Sequence, residues 1–184
     1  MGNKDFKIFL DMDGVVTNFE GSFININSNE KNENWDTFVE KYGRDKAWSI
    51  VDENGIEWWS NMPWIEDGKQ LWDFVKDFDP TILSRPSRSK ESSLGKFEWC
   101  KRELHIIQEN YTTSAKLKKW SEQSRIILTS NKELFATRYE NSILIDDTKR
   151  NIEKWEEVGG IGILHKSTKQ TIEQLNRILN DIKG

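Results

Sequence analysis

Short apolar runs alternate along the chain with stretches whose apolar residues recur every three or four positions. Strands are predicted for the apolar runs, which are Ile8-Phe9-Leu10, Thr81-Ile82-Leu83, Ile126-Ile127-Leu128, Ile143-Leu144-Ile145 and 161–164. Strands that alternate with helices are typical of an α/β fold, in which helices cover a mostly parallel sheet. We therefore predict a Rossmann-like, three-layer α/β domain.

The segments between these strands carry helix signals. Helices are predicted between Asp67 and the turn at Asp79-Pro80, from about Ser89 to Leu104, from Lys116 to Trp120, around Ile152 and Trp155, and after Ser167. Pro86 disfavours helical geometry at Arg85, so an extended loop is expected there. Asp147 or Thr148 is expected to cap the helix that Gly159-Gly160 ends, and Ser167 begins an S-x-x-Q capping box.

Residues 19–64 do not follow the alternation of strands and helices. This stretch is rich in Asn and Glu, yet it holds five of the nine tryptophans, namely Trp35, Trp48, Trp58, Trp59 and Trp64. We predict a small, largely helical cap at 19–64, inserted into an α/β core formed by 1–18 and 65–184. Trp35, Phe38 and Trp48 are expected to form the hydrophobic core of the cap itself.

Pairs of carboxylates follow two of the predicted strands. Asp11 and Asp13 come directly after the first strand, beside Gly14, and Asp146 and Asp147 follow a later one. Because the carboxyl ends of parallel strands meet at one edge of a sheet, these acids should share a small volume. Buried, unpaired carboxylates repel one another, so the pattern favours a bound divalent cation. The alternative reading is an ordinary turn at Asp13-Gly14 and a helix cap at Asp147.

A hydroxyl and a lysine follow two further strands. Ser84 comes directly after the run Thr81-Ile82-Leu83, and Lys132 lies shortly after Ile126-Ile127-Leu128. Both positions belong to the same predicted edge of the sheet as the acid pairs. Ser84 is therefore interpreted as a phosphate ligand and Lys132 as a residue of the pocket. An ordinary turn hydroxyl and a solvated lysine are the alternatives.

Composition limits the kind of protein. A chain of 184 residues suffices for one α/β domain with a small insertion. Its net charge of -4 argues against an extended nucleic-acid surface, whereas a small phosphorylated substrate remains compatible. Cys100 has no partner for an internal disulfide, and no apolar segment has the length of a membrane span or a secretion signal. We therefore expect a cytoplasmic protein without a membrane partner; the oligomeric state does not follow.

The order of the polar groups resembles the haloacid dehalogenase-like phosphohydrolase superfamily, whose motifs match Asp11-x-Asp13-Gly14, Ser84, Lys132 and Asp146-Asp147. The segments 11–19, 126–129 and 143–147 are most similar to the 5′(3′)-deoxyribonucleotidases. This resemblance implies a magnesium-dependent phosphomonoesterase, a nucleotidase that releases phosphate from nucleoside monophosphates. Among these substrates, the resemblance favours deoxypyrimidine nucleotides most.

The resemblance also implies a role for each motif residue. Asp11 is the expected nucleophile that forms an aspartyl-phosphate, and Asp13 the group that protonates the leaving oxygen and then activates water. Ser84 and Lys132 are expected to hold the phosphoryl oxygens. The expected ligands of Mg²⁺ are oxygen atoms of Asp11, Asp13, Asp146 and Asp147.

Three aromatic residues are candidates for contact with a base. Phe19 lies just beyond the first motif, and the adjacent pair Trp58-Trp59 is not expected to turn both rings into one core. Nucleobases stack on flat aromatic faces, and cap aromatics line the base pocket in the resembled family. Gly14 and Arg85 are further candidate contacts to the substrate. The alternative for Arg85 is a side chain that contacts only solvent.

Two other functions fit part of the pattern. A polynucleotide 3′-phosphatase or a phosphatase of small metabolites would keep the chemistry and change only the cap. A receiver domain, which is a phosphorylation switch and not an enzyme, also gathers Asp, hydroxyl and Lys groups at the edge of a parallel sheet. Receivers place their acid pair first and their lysine last, whereas this chain ends the series with Asp146-Asp147, so the switch ranks lowest.

Overall fold

The computed structural model describes residues 6–27, 33–109, 111–113 and 124–184. Its strands are β1 (Lys7–Leu10), β2 (Thr81–Ser84), β3 (Thr112–Thr113), β4 (Ile126–Leu128), β5 (Ser142–Asp146) and β6 (Ile161–Leu164). Its helices are α1 (Phe19–Ile26), α2 (Trp35–Tyr42), α3 (Arg44–Glu53), α4 (Gly55–Ser60), α5 (Gly68–Val75), α6 (Lys90–Glu103), α7 (Lys149–Glu157) and α8 (Thr168–Lys183). Short 3₁₀ helices occupy Lys76–Phe78 and Lys132–Phe135. The helix predicted from Lys116 to Trp120 lies outside the described residues.

The strands form one parallel sheet in the order β3-β4-β2-β1-β5-β6. Strand β1 is central, and its last residue, Leu10, is in register with Ile82 of β2 and Ile145 of β5. Ser84 of β2 is in register with Leu128 of β4. The residues that follow β1, β2, β4 and β5 therefore meet at one edge of the sheet, as the sequence predicts.

Both faces of the sheet are buried, because apolar residues occupy consecutive positions of each central strand. Leu10 and Ile82 pack into a core that includes side chains of α5, α6 and α8. Phe9 and Leu83 point to the opposite face, where Trp155 of α7 covers them. The predicted Rossmann-like, three-layer α/β fold is confirmed.

Helices α1 to α4 form a helical insertion between β1 and α5. The chain segments that enter and leave it lie side by side, because Asn18 N donates to Pro63 O at 2.8 Å and Ile65 N donates to Val16 O at 3.0 Å. The insertion is packed closely against α6, where a Cβ built on Gly95 would lie 2.3 Å from Trp59 Cβ. The exact limits of the cap, 19 and 64, stay predictions.

Two of the predicted helix starts have capping hydrogen bonds, of which the one at Ser167 was predicted. Ser89 accepts from Ser92 N at 3.2 Å, and Ser167 accepts from Gln170 N at 3.4 Å. Thr148, one of the two predicted caps, is the N-cap residue of α7, although its side chain makes no capping hydrogen bond within the described residues. Its hydroxyl donates instead to Asp147 Oδ1 at 3.1 Å, and both side chains therefore belong to the edge of the sheet. Among the described residues, no helix has the length and apolar character that a membrane crossing requires.

Candidate active site

The loop after β1 is a tight turn around one carbonyl group. Met12 O accepts hydrogen bonds from the backbone N–H groups of Val15, Val16 and Thr17, at 3.1, 2.8 and 2.9 Å. Gly14 has a φ of 75°, a backbone conformation that costs a residue with a Cβ about 1–2 kcal/mol. The turn brings the loop back over the end of the sheet and directs Asp11 and Asp13 toward the same edge.

Three carboxylates converge at this edge. One oxygen from each of Asp11, Asp146 and Asp147 lies within 4.8 Å of the other two. Asp11 and Asp146 are buried and Asp147 is exposed. In the described part of the chain, Asp11 Oδ1 is buried and accepts no hydrogen bond of good geometry. The three carboxylates together offer oxygen acceptors of the kind that bind a hard cation.

Lys132 supplies the counter-charge between the two buried acids. The 3₁₀ helix after β4 places its Nζ 2.9 Å from Asp11 Oδ1 and 2.5 Å from Asp146 Oδ2. Burial works against the charged form of Lys132, but the charges of Asp11 and Asp146 outweigh it and raise the pKa of the lysine. The ammonium group is therefore held in its charged form within the site.

Asp146 is fixed by donors from the start of α7. Its Oδ1 accepts from Thr148 N at 2.9 Å, and Asn151 Nδ2 lies 3.0 and 3.1 Å from its two oxygens. Desolvation, with the neighbouring charge of Asp11, raises the pKa of Asp146. The sequence analysis missed Asn151, although its place in the first turn of the helix that follows the acid pair was a usable signal.

The pKa of Asp147 lies well above the usual value for a carboxyl group. Its side chain reaches solvent at the rim, while protein surrounds it on the remaining sides. This partial desolvation, together with the charges of Asp11 and Asp146, raises the pKa of Asp147 to about 7. In the absence of a cation, the cluster therefore holds a proton on Asp147 near neutral pH.

Asp13 lies outside the three-acid cluster and faces the end of β2. Its Oδ2 accepts from Lys96 Nζ at 2.5 Å, and its Oδ1 accepts from Thr17 Oγ1 at 3.1 Å. Lys96 also donates to Ser84 Oγ at 3.0 Å and to Arg85 O at 3.1 Å. Asp13 and Ser84, predicted separately, are thus joined through a lysine that the sequence analysis missed.

A signal for Lys96 was present in the helical pattern. Ser92, Lys96 and Trp99 recur at the spacing of one helix face, and all three are fully buried on α6. A lysine in such an inward position requires a partner. Arg85 contributes its carbonyl group to this contact, whereas its side chain is exposed.

The predicted aromatic candidates form a single cluster in the helical insertion. Phe19 and Trp58 have ring centroids 5.6 Å apart, and Trp58 and Trp59 contact edge to face at 4.7 Å. The expectation that the adjacent tryptophans do not share one core is wrong, because their rings are nearly perpendicular and pack against each other. Trp59 is 1% exposed, whereas Phe19 and Trp58 are half-buried and keep free surface.

Comparisons with known proteins agree with the fold. No family model matches the sequence, and no curated protein sequence matches it. Among solved structures, the chain is similar to a hydrolase from Streptococcus pneumoniae TIGR4, with a TM-score of 0.52 and 10% sequence identity over 95% of this chain and 97% of that one. At this identity the similarity establishes a shared α/β fold over nearly the whole length of both chains.

Proposed function

We propose that the protein is a magnesium-dependent phosphomonoesterase of the haloacid dehalogenase-like type, acting through an aspartyl-phosphate. The observation that carries the proposal is the convergence of Asp11, Asp146 and Asp147 at the carboxyl edge of a parallel sheet, where Lys132 pairs with the two buried acids and Asp13 and Ser84 lie alongside. The similar solved structure is described as a hydrolase, which agrees with a hydrolytic reaction.

The residues present fit a divalent cation. Asp11 Oδ1, whose ion-pair partner is Lys132, belongs to a set of carboxylates whose oxygens lie within 4.8 Å of one another. Oxygen donors of this charge are the ligands that Mg²⁺ prefers. Asp11, Asp146, Asp147 and the Asp13 carbonyl are the proposed ligands. When bound, the cation supplies positive charge that stabilises the transferring phosphoryl group.

The side chains of the protein divide the reaction into two displacements. An oxygen of Asp11 attacks phosphorus while the bond from phosphorus to the leaving oxygen breaks, and Asp13 gives its proton to that oxygen. Water then attacks the aspartyl-phosphate, Asp13 takes a proton from it, and Asp11 is released together with inorganic phosphate. Lys132 and Ser84 hold the phosphoryl oxygens during both steps.

Nucleoside monophosphates are the proposed substrates, with a 5′(3′)-deoxyribonucleotidase as the specific activity. Support comes from Phe19 and Trp58, whose partly exposed rings lie in the insertion that directly follows the catalytic loop. The net charge of -4 agrees with a small substrate more than with a polynucleotide. A cytoplasmic location belongs to the same proposal.

A phosphate-release screen with magnesium tests the proposed function. The substrates are deoxyribonucleoside 5′- and 3′-monophosphates, ribonucleotides, a 3′-phosphorylated oligonucleotide and sugar phosphates. We expect release from mononucleotides that requires magnesium and is lost in chelator. Release from the oligonucleotide or from sugar phosphates alone would keep the chemistry and reject the nucleotidase. No release from any phosphomonoester would reject the proposed function.

A further inference from the structure

Lys96 is a fully buried lysine for which the proposed mechanism has no role. It lies on α6 with 0% of its surface exposed. Its Nζ donates to Asp13 Oδ2, Ser84 Oγ and Arg85 O, at 2.5, 3.0 and 3.1 Å. An ammonium group has three hydrogens to donate, so these contacts use all of them. Lys96 therefore has no donor left for the phosphoryl group and differs in this respect from Lys132.

The contacts of Lys96 fix the orientation of the Asp13 carboxylate. Lys96 occupies Oδ2, and Thr17 Oγ1 lies 3.1 Å from Oδ1. Oδ2 is held at short distance by the lysine, whereas Oδ1 accepts only from the Thr17 hydroxyl and keeps a second lone pair, so Oδ1 is the oxygen that exchanges a proton with the substrate and with water. The same lysine donates to Ser84 Oγ, so the Ser84 hydroxyl hydrogen is directed away from Lys96 and toward an acceptor such as a phosphoryl oxygen.

The helical insertion keeps Lys96 in place. The Nζ atom lies 5.2 Å from the ring centroid of Trp59, a distance at which an aromatic face attracts a cation. Trp59 is itself buried, and its Cβ packs against Gly95, the neighbour of Lys96 on α6. The ammonium group is thus enclosed between the insertion and the end of β2, and it has little freedom to leave Asp13.

We propose that Lys96 is a positioning residue, which holds Asp13 in the orientation for proton transfer and links it to the phosphate-binding hydroxyl of Ser84. This inference rests on the proposed phosphomonoesterase function. Lys96 keeps its own protons throughout: Asp13 gives its proton to the leaving oxygen as the bond to phosphorus breaks, and regains one from the attacking water. Lys96 acts only through the geometry of Asp13 and Ser84.

The leaving group of the substrate provides the test. An alkyl phosphate, such as a nucleoside 5′-monophosphate, needs proton transfer to its leaving oxygen, whereas 2,4-dinitrophenyl phosphate leaves as a stable anion. We expect Lys96→Met to lower kcat/KM for the alkyl phosphate by about 100-fold or more, the typical contribution of a general acid. The loss for 2,4-dinitrophenyl phosphate should be at least about tenfold smaller, because its leaving group does not need a proton from a general acid. Inhibition by inorganic phosphate should weaken less than kcat/KM for the alkyl phosphate, because Ser84 remains present and loses only its orientation.

Lys101→Met is the matched control, because Lys101 lies on the same helix, is exposed and pairs only loosely with Glu98, at 3.7 Å. It should leave both substrates unaffected. Lys96→Gln, which keeps a donor at the end of a shorter side chain, should restore part of the alkyl phosphate activity. In an Asp13→Asn background, Lys96→Met should add little further loss, since both changes remove the same function.

Several results would overturn the role of Lys96. Equal losses for both substrates would make the lysine a general structural residue, as would failure of both Lys96 variants to fold by circular dichroism. A loss of inhibition by inorganic phosphate as large as the loss of kcat/KM for the alkyl phosphate would show that Lys96 binds the phosphoryl group directly. If the wild type is active, any of these results rejects only this inference, whereas a wild type that releases no phosphate rejects the proposed function as well.

Discussion

Gly14 and Asp147 approach each other so closely that no side chain fits between them. A Cβ built on Gly14 would lie 2.1 Å from Asp147 Oδ2 and 2.7 Å from its Cγ. The turn after β1 and the end of β5 are therefore complementary, and the absence of a Cβ at position 14 lets Asp147 approach Asp11. Glycine is required here for space as well as for its positive φ of 75°.

Gly14→Ala should displace Asp147 and weaken cation binding. We expect magnesium to raise the melting temperature of the wild type, because it binds only the folded state, and to raise that of Gly14→Ala much less. Gly43→Ala is the matched control: Gly43 has a φ of 86°, and among the described residues no atom lies within 4 Å of its built Cβ. Equal magnesium responses in both variants would show that the contact does not shape the cation site.

The raised pKa of Asp147 predicts a pH dependence of stability. Between about pH 4 and pH 7 the folded state keeps a proton that the unfolded state releases, so this group stabilises the metal-free protein less as the pH rises. The melting temperature in chelator should therefore fall from pH 5 to pH 8, and Asp147→Asn should reduce this fall. With magnesium, the melting temperature should instead rise from pH 5 to pH 8, because protons compete with the cation for the carboxylates. A pH profile in chelator that Asp147→Asn leaves unchanged would contradict the assignment.

Lys132→Met should destabilise the metal-free protein. The change leaves Asp11 and Asp146 buried without their counter-charge, and breaking a buried ion pair costs about 3–5 kcal/mol. Urea unfolding measures the loss, which magnesium should partly restore by supplying positive charge. Lys149→Met, which removes the exposed pair with Glu153, should cost less than about 1 kcal/mol. Similar stabilities of the two variants in chelator would contradict the central position of Lys132.

Trp58 and Trp59 should respond differently to replacement by alanine. Trp58→Ala should lower kcat/KM for nucleotides by an amount equivalent to about 1–3 kcal/mol, the contribution of a stacked base, with little effect on a small aryl phosphate. Trp59→Ala should instead lower the free energy of unfolding by about 3–5 kcal/mol, because its ring is buried. If a folded Trp58→Ala variant changed kcat/KM equally for both substrates, this aromatic cluster would be purely structural.

The sheet and its carboxyl edge could be predicted because the relevant signals are local. Apolar runs such as Ile143-Leu144-Ile145 are short and end directly in polar residues, and parallel pairing then places those residues together. The positions of Asp11, Asp146, Ser84 and Lys132 follow from that rule alone. Helix starts such as Ser89 and Ser167 also depend on local signals, since a hydroxyl three residues before a free backbone N–H group suffices to cap the helix.

The remaining features depend on contacts between segments distant in sequence. Lys96 reaches Asp13 across 83 positions of the chain, and only the packing of α6 beside β2 brings them together. Trp59 is buried because Gly95 admits its Cβ, a relationship that no periodicity within residues 19–64 expresses. In each case tertiary packing overrides the local preference.

Phosphate release by Asp11→Asn measures the central claim most directly. The change keeps the shape of the side chain and removes the proposed nucleophile. The matched control is Asp73→Asn, which removes an exposed acid of α5 that pairs with Lys76. With magnesium and a substrate that the wild type hydrolyses, covalent catalysis predicts a fall in kcat of several orders of magnitude for a folded Asp11→Asn and normal turnover for Asp73→Asn. Near-normal turnover by folded Asp11→Asn would contradict the aspartyl-phosphate mechanism.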